Sequence, residues 1–150
     1  MSYNIKKEVV TMISFVFGNK GSGKTRKLLE LSNKSILTAK GEIVFIDLKE
    51  KSIFELSRDI RFINIKEFSV NNLENFFGFL KGLIGGNYDI DEIYVDNLLN
   101  IVNLNLEDLE LFLKSLKKIG EKFQVNFIFS VNYEGEELPS FINDYSLNFV

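Results

Sequence analysis

The chain has 150 residues, of which 45% are hydrophobic and 26% charged, a balance typical of one globular domain. It contains neither cysteine nor histidine, which excludes disulfides, zinc–thiolate sites and catalysis by a thiol or an imidazole. A net charge of −3 argues against a dedicated nucleic-acid binder, and no apolar run approaches the ~20 residues that cross a bilayer, so we expect no membrane contact.

Residues 1–11 are polar, and we expect them to form an N-terminal arm, or a short edge strand from Ile5 to Val10, ahead of a single domain over residues 12–150. The first residues lack the basic, apolar and small-residue order of a secretory signal. The simplest expectation from these observations is a cytoplasmic protein.

A glycine-rich loop joins the first two predicted elements of the domain. The apolar run 12–17 predicts a buried strand, and a helix is predicted over 23–39. Between them, residues 18–25 have the sequence GNKGSGKT, which fits the phosphate-binding pattern G-x-x-x-x-G-K-[ST] without a mismatch. Strand, glycine loop and helix in this order is the context in which that pattern binds phosphate.

The residue types in this loop suit an anion. Glycines adopt backbone angles that other residues resist, so successive N–H groups can point inward, and the following helix adds the positive end of its dipole. Lys24 is expected to reach the β- and γ-phosphates, and the Thr25 hydroxyl to hold Mg²⁺. An ordinary glycine turn with a solvated lysine is the alternative. The expected nucleotide-binding residues here are Gly18, Asn19, Lys20, Gly21, Ser22, Gly23, Lys24, Thr25 and Arg26.

After the first helix, which Gly41 is expected to end, apolar strands alternate with amphipathic helices. The predicted strands are 42–47, 61–65, 92–96, 124–130 and 146–150. The predicted helices are a short one at 52–59, one capped by Ser69 and running through Ile84, one capped by Asn105 and running through Ile119, and a turn at 138–143. This alternation predicts an α/β fold with parallel strands joined by right-handed crossovers.

Asp96 ends the apolar strand Ile93-Tyr94-Val95-Asp96. In open α/β sheets, ligands bind in the crevice at the carboxyl ends of the strands, where such a carboxylate would face. We therefore interpret Asp96 as the carboxylate that orients Mg²⁺. The alternative is an aspartate that caps the following turn, since Asn97 also favours a bend.

These features together resemble the P-loop NTPases, and within them the RecA-like branch. Residues 44–47 are similar to that family's second core strand, and 94–99 to its Walker B strand and the start of the next helix. Residues 128–132 are similar to the strand that ends in a polar γ-phosphate sensor, here Asn132. The chain is also similar, over nearly everything from Met12 onward, to short bacterial ATP-binding proteins of unestablished role, some labelled twitching-motility-like. The resemblance implies a three-layer α/β fold with a mostly parallel sheet of strand order 5-1-4-3-2, and Mg-ATP as ligand.

The departures from that family concern catalysis. A glutamate there polarises the attacking water, either beside the Walker B aspartate or just past the second strand. Here Asn97 stands at the first position and Lys49 at the second. The resemblance leaves Glu50 and Asp47 as candidate water-positioning groups, together with Lys24 as a catalytic residue. Each of the two carboxylates could equally be a surface or capping group.

Arginines, which usually stabilise the transition state of phosphoryl transfer, are few in this chain. They are Arg26, Arg58 and Arg61. A role in trans across a homo-oligomer is one interpretation of these residues, and ordinary surface charge is the plainer one.

Several functions remain open at this point. The first hypothesis is an ATP-binding protein with slow or partner-stimulated hydrolysis, and the second is a nucleotide-dependent binding module that does not hydrolyse ATP. A small-molecule kinase is less favoured because no segment has the composition of an arginine-bearing lid. A nucleic-acid motor is also disfavoured, since the lysines at 114, 117, 118 and 122 have the spacing of a solvated helix face. ATP is the default nucleotide because no guanine-reading N-K-x-D element is present.

Overall fold

The computed structural model describes residues 12–150, so the expected N-terminal arm lies outside the described residues. Its strands are β1 (Ile13–Gly18), β2 (Glu42–Asp47), β3 (Ile60–Asn64), β4 (Ile90–Val95), β5 (Asn126–Asn132) and β6 (Ser146–Phe149). Its α-helices are α1 (Lys24–Ser35), α2 (Leu73–Gly86), α3 (Leu98–Val102) and α4 (Glu110–Phe123). Short 3-10 helices span Glu50–Glu55, Ile65–Phe68, Leu106–Leu109 and Ser140–Asp144.

The described strands form one sheet in which every neighbouring pair is parallel, which confirms the predicted α/β class. Side chains alternate between its two faces. Phe15 and Phe17 of β1 join a large apolar cluster under α2, α3 and α4, whereas Val16 joins a smaller one under α1. Because both faces are covered, the central strands read as continuous apolar runs in the sequence.

The strand order across the sheet is β3-β2-β4-β5-β1-β6, which differs from the expected 5-1-4-3-2. The difference comes from β3, which pairs with β2 in parallel and adds a sixth strand at that edge. The other five strands, counted in chain order without β3, follow one another in the expected sequence. An edge strand was predicted at 61–65, but the resemblance offered no place for it in the order.

Predicted and observed strand ends differ by at most two residues, whereas several helical segments differ more. Helix α1 ends at Ser35 rather than at residue 39, because the amides of Leu37 and Thr38 donate to carbonyls three residues back, those of Lys34 and Ser35. The short helix predicted at 52–59 is a 3-10 helix at Glu50–Glu55. Helix α3, directly after Asp96, was anticipated only as the start of a helix in the family resemblance.

The predicted helix cap at Ser69 is wrong. Ser69 has a left-handed backbone (φ 55°) and closes the 3-10 turn Ile65–Phe68. The cap of α2 is Asn72, whose side-chain oxygen accepts a hydrogen bond of 2.8 Å from the amide of Asn75. Asn105 does act as a cap, in a reciprocal box with Asp108, but of the 3-10 turn that leads into α4. Within residues 12–150, no helix combines the length and the apolarity that a bilayer crossing requires.

Candidate functional site

The sheet brings three distant segments together at the carboxyl ends of its central strands. Strand β5 lies between β4 and β1, so the residues that follow these strands are neighbours. In the β1–β5 register, Gly18 lies opposite Asn132, and the Tyr133 amide donates a 2.9 Å hydrogen bond to the Gly18 carbonyl. The glycine loop, Asp96 and Asn132 therefore share one edge of the sheet.

The glycine loop is curled by backbone angles that favour glycine. Gly21 and Gly23 have φ of 84° and 101°, and a Cβ at either would meet no atom within 4 Å, so the constraint there is the angle alone. Gly18 differs, since a Cβ there would collide with Ser22 Oγ and lie 2.7 Å from Val150 Cγ2. The Ser22 amide donates to the Asn19 carbonyl at 3.0 Å, which closes the loop.

No side chain of the described residues caps α1, whose N-cap is Gly23. The amides of its first turn thus have no side-chain acceptor from a cap, and the positive end of the helix dipole lies at the loop. Lys24 and Thr25 are the first two residues of this helix, so the loop and the two predicted ligand-binding side chains form one continuous unit.

Lys24 is buried, with only 8% of its surface exposed. Its Nζ donates to the Asn19 carbonyl and to Asn132 Oδ1, both at 3.4 Å, so the ammonium lies between the loop and the end of β5. Burial lowers the pKa of Lys24; the charge of Asp96 raises it, and that of Lys49 lowers it further. An anion bound beside the ammonium would offset this loss of hydration.

Thr25 and Asp96, predicted separately as metal-holding groups, are in direct contact. The Thr25 hydroxyl donates a 2.7 Å hydrogen bond to Asp96 Oδ2. The Asp96 side chain is 1% exposed, and its backbone amide donates to the Ile46 carbonyl of β2 at 2.9 Å. Because the hydroxyl proton points at the carboxylate, the lone pairs of the Thr25 oxygen remain for a cation.

Ser130, which was not predicted as a site residue, holds the other side of the carboxylate. It is fully buried in β5 and donates a short hydrogen bond to Asp96 Oδ1. Its oxygen accepts the Asn97 amide at 2.7 Å, and the Asn97 side chain approaches Asp96 Oδ2 at 3.4 Å. The only signal in the sequence was one polar residue inside the apolar run 127–131.

The two candidate water-positioning carboxylates have different surroundings. Asp47 is 1% exposed, and its oxygens accept hydrogen bonds from the Leu48 amide (2.6 Å), the Lys49 amide (3.3 Å) and the Ser52 hydroxyl (2.7 Å). Burial raises the pKa of Asp47, and the charge of Asp96 raises it further, against these hydrogen bonds. Asp47 therefore caps the turn after β2 close to Asp96.

Glu50 lies elsewhere. Its exposed carboxylate accepts a 3.2 Å hydrogen bond from Asn64 at the end of β3. It lines neither of the two cavities beside the glycine loop. Of the two candidates, Asp47 alone is placed near Thr25 and Asp96.

Two cavities flank the Lys24–Thr25 segment. One of about 210 Å³ is lined by Thr25, Arg26, Leu29, Asp47, Lys49, Lys51, Ser52, Glu55 and Asp96. The other, of about 260 Å³, is lined by Lys20, Lys24, Leu48, Lys49, Asn97, Asn100 and Asn132. The first combines carboxylates with cations, whereas the second holds lysines and amides without a carboxylate. Ser52 and Lys49 were not assigned as site residues from the sequence.

The remaining predicted residues either line one of the two cavities or lie outside both. Lys20 and Asn132 line the second cavity, and Arg26, exposed on α1, lines the first. Arg58 and Arg61 are exposed and line neither cavity. Over residues 12–150, no three Asp, Glu, His or Cys side chains cluster closely enough to form an all-protein metal cage.

No protein-family model matches this chain, and comparison with curated proteins returned no related sequence. The family relationship suggested by the motifs stays a prediction, and the chemistry of the site has to be inferred from its geometry.

Proposed function

We propose that this chain is a P-loop protein that binds Mg-ATP and hydrolyses it slowly or under the influence of a partner. The hydrogen bond between Thr25 and Asp96 carries the proposal, because it joins the end of a glycine loop to a buried carboxylate 71 residues away. This pairing is what simultaneous binding of a phosphate chain and its counter-cation requires.

The phosphates would be held by the loop amides, by the first turn of α1 and by Lys24. Asn132 already accepts from Lys24 Nζ, so the lysine is positioned before any ligand arrives. With Lys24 largely desolvated, its attraction to a phosphate oxygen would be stronger than that of an exposed lysine.

The residues present fit Mg²⁺. This ion is usually held by one or two carboxylates together with waters and substrate phosphates, so the absence of an all-protein cage among the described residues does not oppose it. Thr25 and Asp96 would hold it, with Asp47 lining the same cavity. When bound, the ion would neutralise negative charge on the phosphates. Ser130 and Asn97 would keep the Asp96 carboxylate in one orientation.

The slow turnover in this proposal follows from the surroundings of the residues considered as a base from the sequence. Asn97, beside Asp96, is an amide and cannot take a proton from water. Asp47 is close, but its oxygens already accept three hydrogen bonds from the chain. Glu50 is bonded to Asn64 and lines neither cavity.

The same observation favours a second candidate, a nucleotide-dependent binding module in which ATP orders the loops for a partner without being hydrolysed. The two candidates differ only in turnover. Release of inorganic phosphate from ATP in a single-turnover experiment, faster with wild type than with Asp96→Asn, supports the ATPase; equal rates support the module.

Ligand-induced stabilisation tests nucleotide binding itself. A ligand that binds only the folded state at 100 times its Kd stabilises that state by about 2.7 kcal/mol. We expect Mg-ATP to raise the unfolding temperature of the wild type, and AMP, which lacks the β- and γ-phosphates, to leave it unchanged. An unfolding temperature that is insensitive to millimolar Mg-ATP would contradict the proposal.

A further inference from the structure

Three lysines converge on the cavity of about 260 Å³ beside the glycine loop. Lys20, Lys24 and Lys49 line it together with Leu48 and three asparagines, and no carboxylate shares the lining. Lys24 is buried, whereas Lys20 and Lys49 are exposed, so an anion in the cavity would meet one desolvated and two solvated ammonium groups. The lining of this cavity thus carries more positive charge than Lys24 alone provides.

Lys49 belongs to this cavity through its position after β2. The Asp47 carboxylate accepts the amides of Leu48 and Lys49, which fixes the backbone of the turn from which the Lys49 side chain departs. Lys49 also lines the cavity of about 210 Å³ that contains Thr25 and Asp96. It thus stands between the lysine-lined cavity and the predicted metal site.

Within residues 12–150, no carboxylate forms a salt bridge with the Lys49 ammonium. The one salt bridge among the described residues joins Lys114 to Glu110 on α4. The charge of Lys49 is close enough to Lys24 to lower the pKa of that lysine. Lys49 is exposed and Lys24 is buried, and an anion in the lysine-lined cavity would lie beside the ammonium groups of both.

We propose that Lys49 binds the terminal phosphate of the bound nucleoside triphosphate from the side opposite the glycine loop. The inference rests on the proposed nucleotide binding and extends it to the discrimination between triphosphate and diphosphate. A cation stands where the family resemblance implied a water-activating glutamate, so this position contributes to holding the terminal phosphate and supplies no base. Retention of ATP is then favoured over its cleavage.

Calorimetric titration with Mg-ATP and Mg-ADP tests the inference in the wild type, Lys49→Ala, Lys49→Arg and Lys40→Ala. Lys40 is a matched control: it is also exposed, it lies two residues before β2 as Lys49 lies two residues after it, and it lines neither cavity. We expect Lys49→Ala to weaken Mg-ATP about tenfold or more and to change Mg-ADP by less than about threefold, the difference being one charge-assisted contact. Lys49→Arg should restore most of the ATP affinity, and Lys40→Ala should match the wild type.

The outcomes separate the inference from the function on which it rests. If the wild type binds neither nucleotide, the proposed function fails and the role of Lys49 falls with it. If the wild type binds Mg-ATP and Lys49→Ala binds it equally well, the inference alone is overturned. Equal weakening for ATP and ADP would also overturn it, because Lys49 would then act on the nucleotide as a whole. A circular-dichroism melt of Lys49→Ala checks that the fold is intact.

Discussion

The Thr25 hydroxyl donates a 2.7 Å hydrogen bond to Oδ2 of Asp96, a residue that is 71 positions away in the sequence. The contact exists because β1 and β4 lie on either side of β5, so that the loop after one strand meets the residue after the other. It links the two residues predicted to hold Mg²⁺. Substitution of either residue therefore tests whether nucleotide binding depends on the metal.

Replacing Thr25 with valine keeps the shape of the side chain and removes its hydroxyl. We expect Thr25→Val to reduce the affinity for ATP in the presence of Mg²⁺ by about tenfold or more, because a hydrogen bond to a charged group contributes ~1.5–3 kcal/mol. Affinity measured in EDTA should change little. Thr25→Ser is the control and should retain the metal dependence; a valine variant that retains it as well would rule out this role for Thr25.

Ser130 supports the Asp96 carboxylate from within β5. In Ser130→Ala, the Asn97 amide loses its acceptor and Asp96 Oδ1 loses a donor, both in a buried region. We expect a loss of about 1–3 kcal/mol in the free energy of unfolding, measured by urea denaturation. Ser140→Ala, at an exposed serine, should change it by less than about 0.5 kcal/mol. Equal effects in the two variants would contradict the role of Ser130 in supporting the Asp96 carboxylate.

Alanine substitution at two glycines, Gly23 and Gly78, tests the effect of backbone strain where no steric clash is expected. A Cβ at Gly23 or at Gly78 would meet no atom within 4 Å, but Gly23 has φ of 101° and Gly78 lies inside α2. We expect Gly23→Ala to destabilise the protein by about 1 kcal/mol or more and to weaken ATP binding. Gly78→Ala should stabilise it by up to ~1 kcal/mol, since alanine favours the helix. Thermal unfolding measures both, and a stabilised Gly23→Ala would contradict the loop geometry.

Asp47 should make stability depend on pH. Burial, followed by the charge of Asp96, raises the pKa of Asp47 in the folded state. At any pH above the unfolded pKa of about 3.9, the folded protein therefore binds more protons than the unfolded chain. The stability contributed by this group is greatest at low pH and is lost as the pH rises through the raised pKa. In Asp47→Asn this loss should be absent, because an amide oxygen can still accept from Leu48 and Lys49 without carrying charge.

Urea denaturation of wild type and Asp47→Asn between pH 4 and pH 8 measures the difference. The variant should be at least as stable as the wild type at neutral pH, and the two should converge as the pH falls. Parallel profiles would mean that Asp47 does not titrate in this range. Added Mg²⁺ should lower the pH at which the wild type loses this stability, since a cation near Asp47 favours its charged form.

Much of the fold could be predicted because its signals are local. The strands are short apolar runs, and Glu42–Asp47 has the predicted boundaries. Thr25 was assigned to the metal site from the glycine-loop pattern, and Asp96 from its place at the carboxyl end of an apolar strand. Their direct contact depends on β5 lying between β1 and β4, which the sequence does not specify by itself.

The parts that were missed depend on geometry beyond the local pattern. Ser69 and Asn72 both have side chains that can cap a helix. Ser69 ends the 3-10 turn Ile65–Phe68, so the cap of α2 is Asn72. Glu50 was a candidate base because of its position in the chain, but the 3-10 helix that it begins turns its carboxylate to Asn64. Ser130 could not be distinguished from other serines without knowing which residue faces it.

Nucleotide binding by the glycine loop is tested most directly by calorimetric titration of the wild type and Lys24→Ala with ATP, in Mg²⁺ and in EDTA. Lys24 is buried, and its ammonium donates hydrogen bonds to the Asn19 carbonyl of the loop and to Asn132 Oδ1. We predict saturable binding of one ATP per wild-type chain, tighter with Mg²⁺, and no measurable binding to a folded Lys24→Ala. Wild-type protein that gives no heat and no shift in unfolding temperature with Mg-ATP, or a Lys24→Ala variant that binds as the wild type does, would contradict the account.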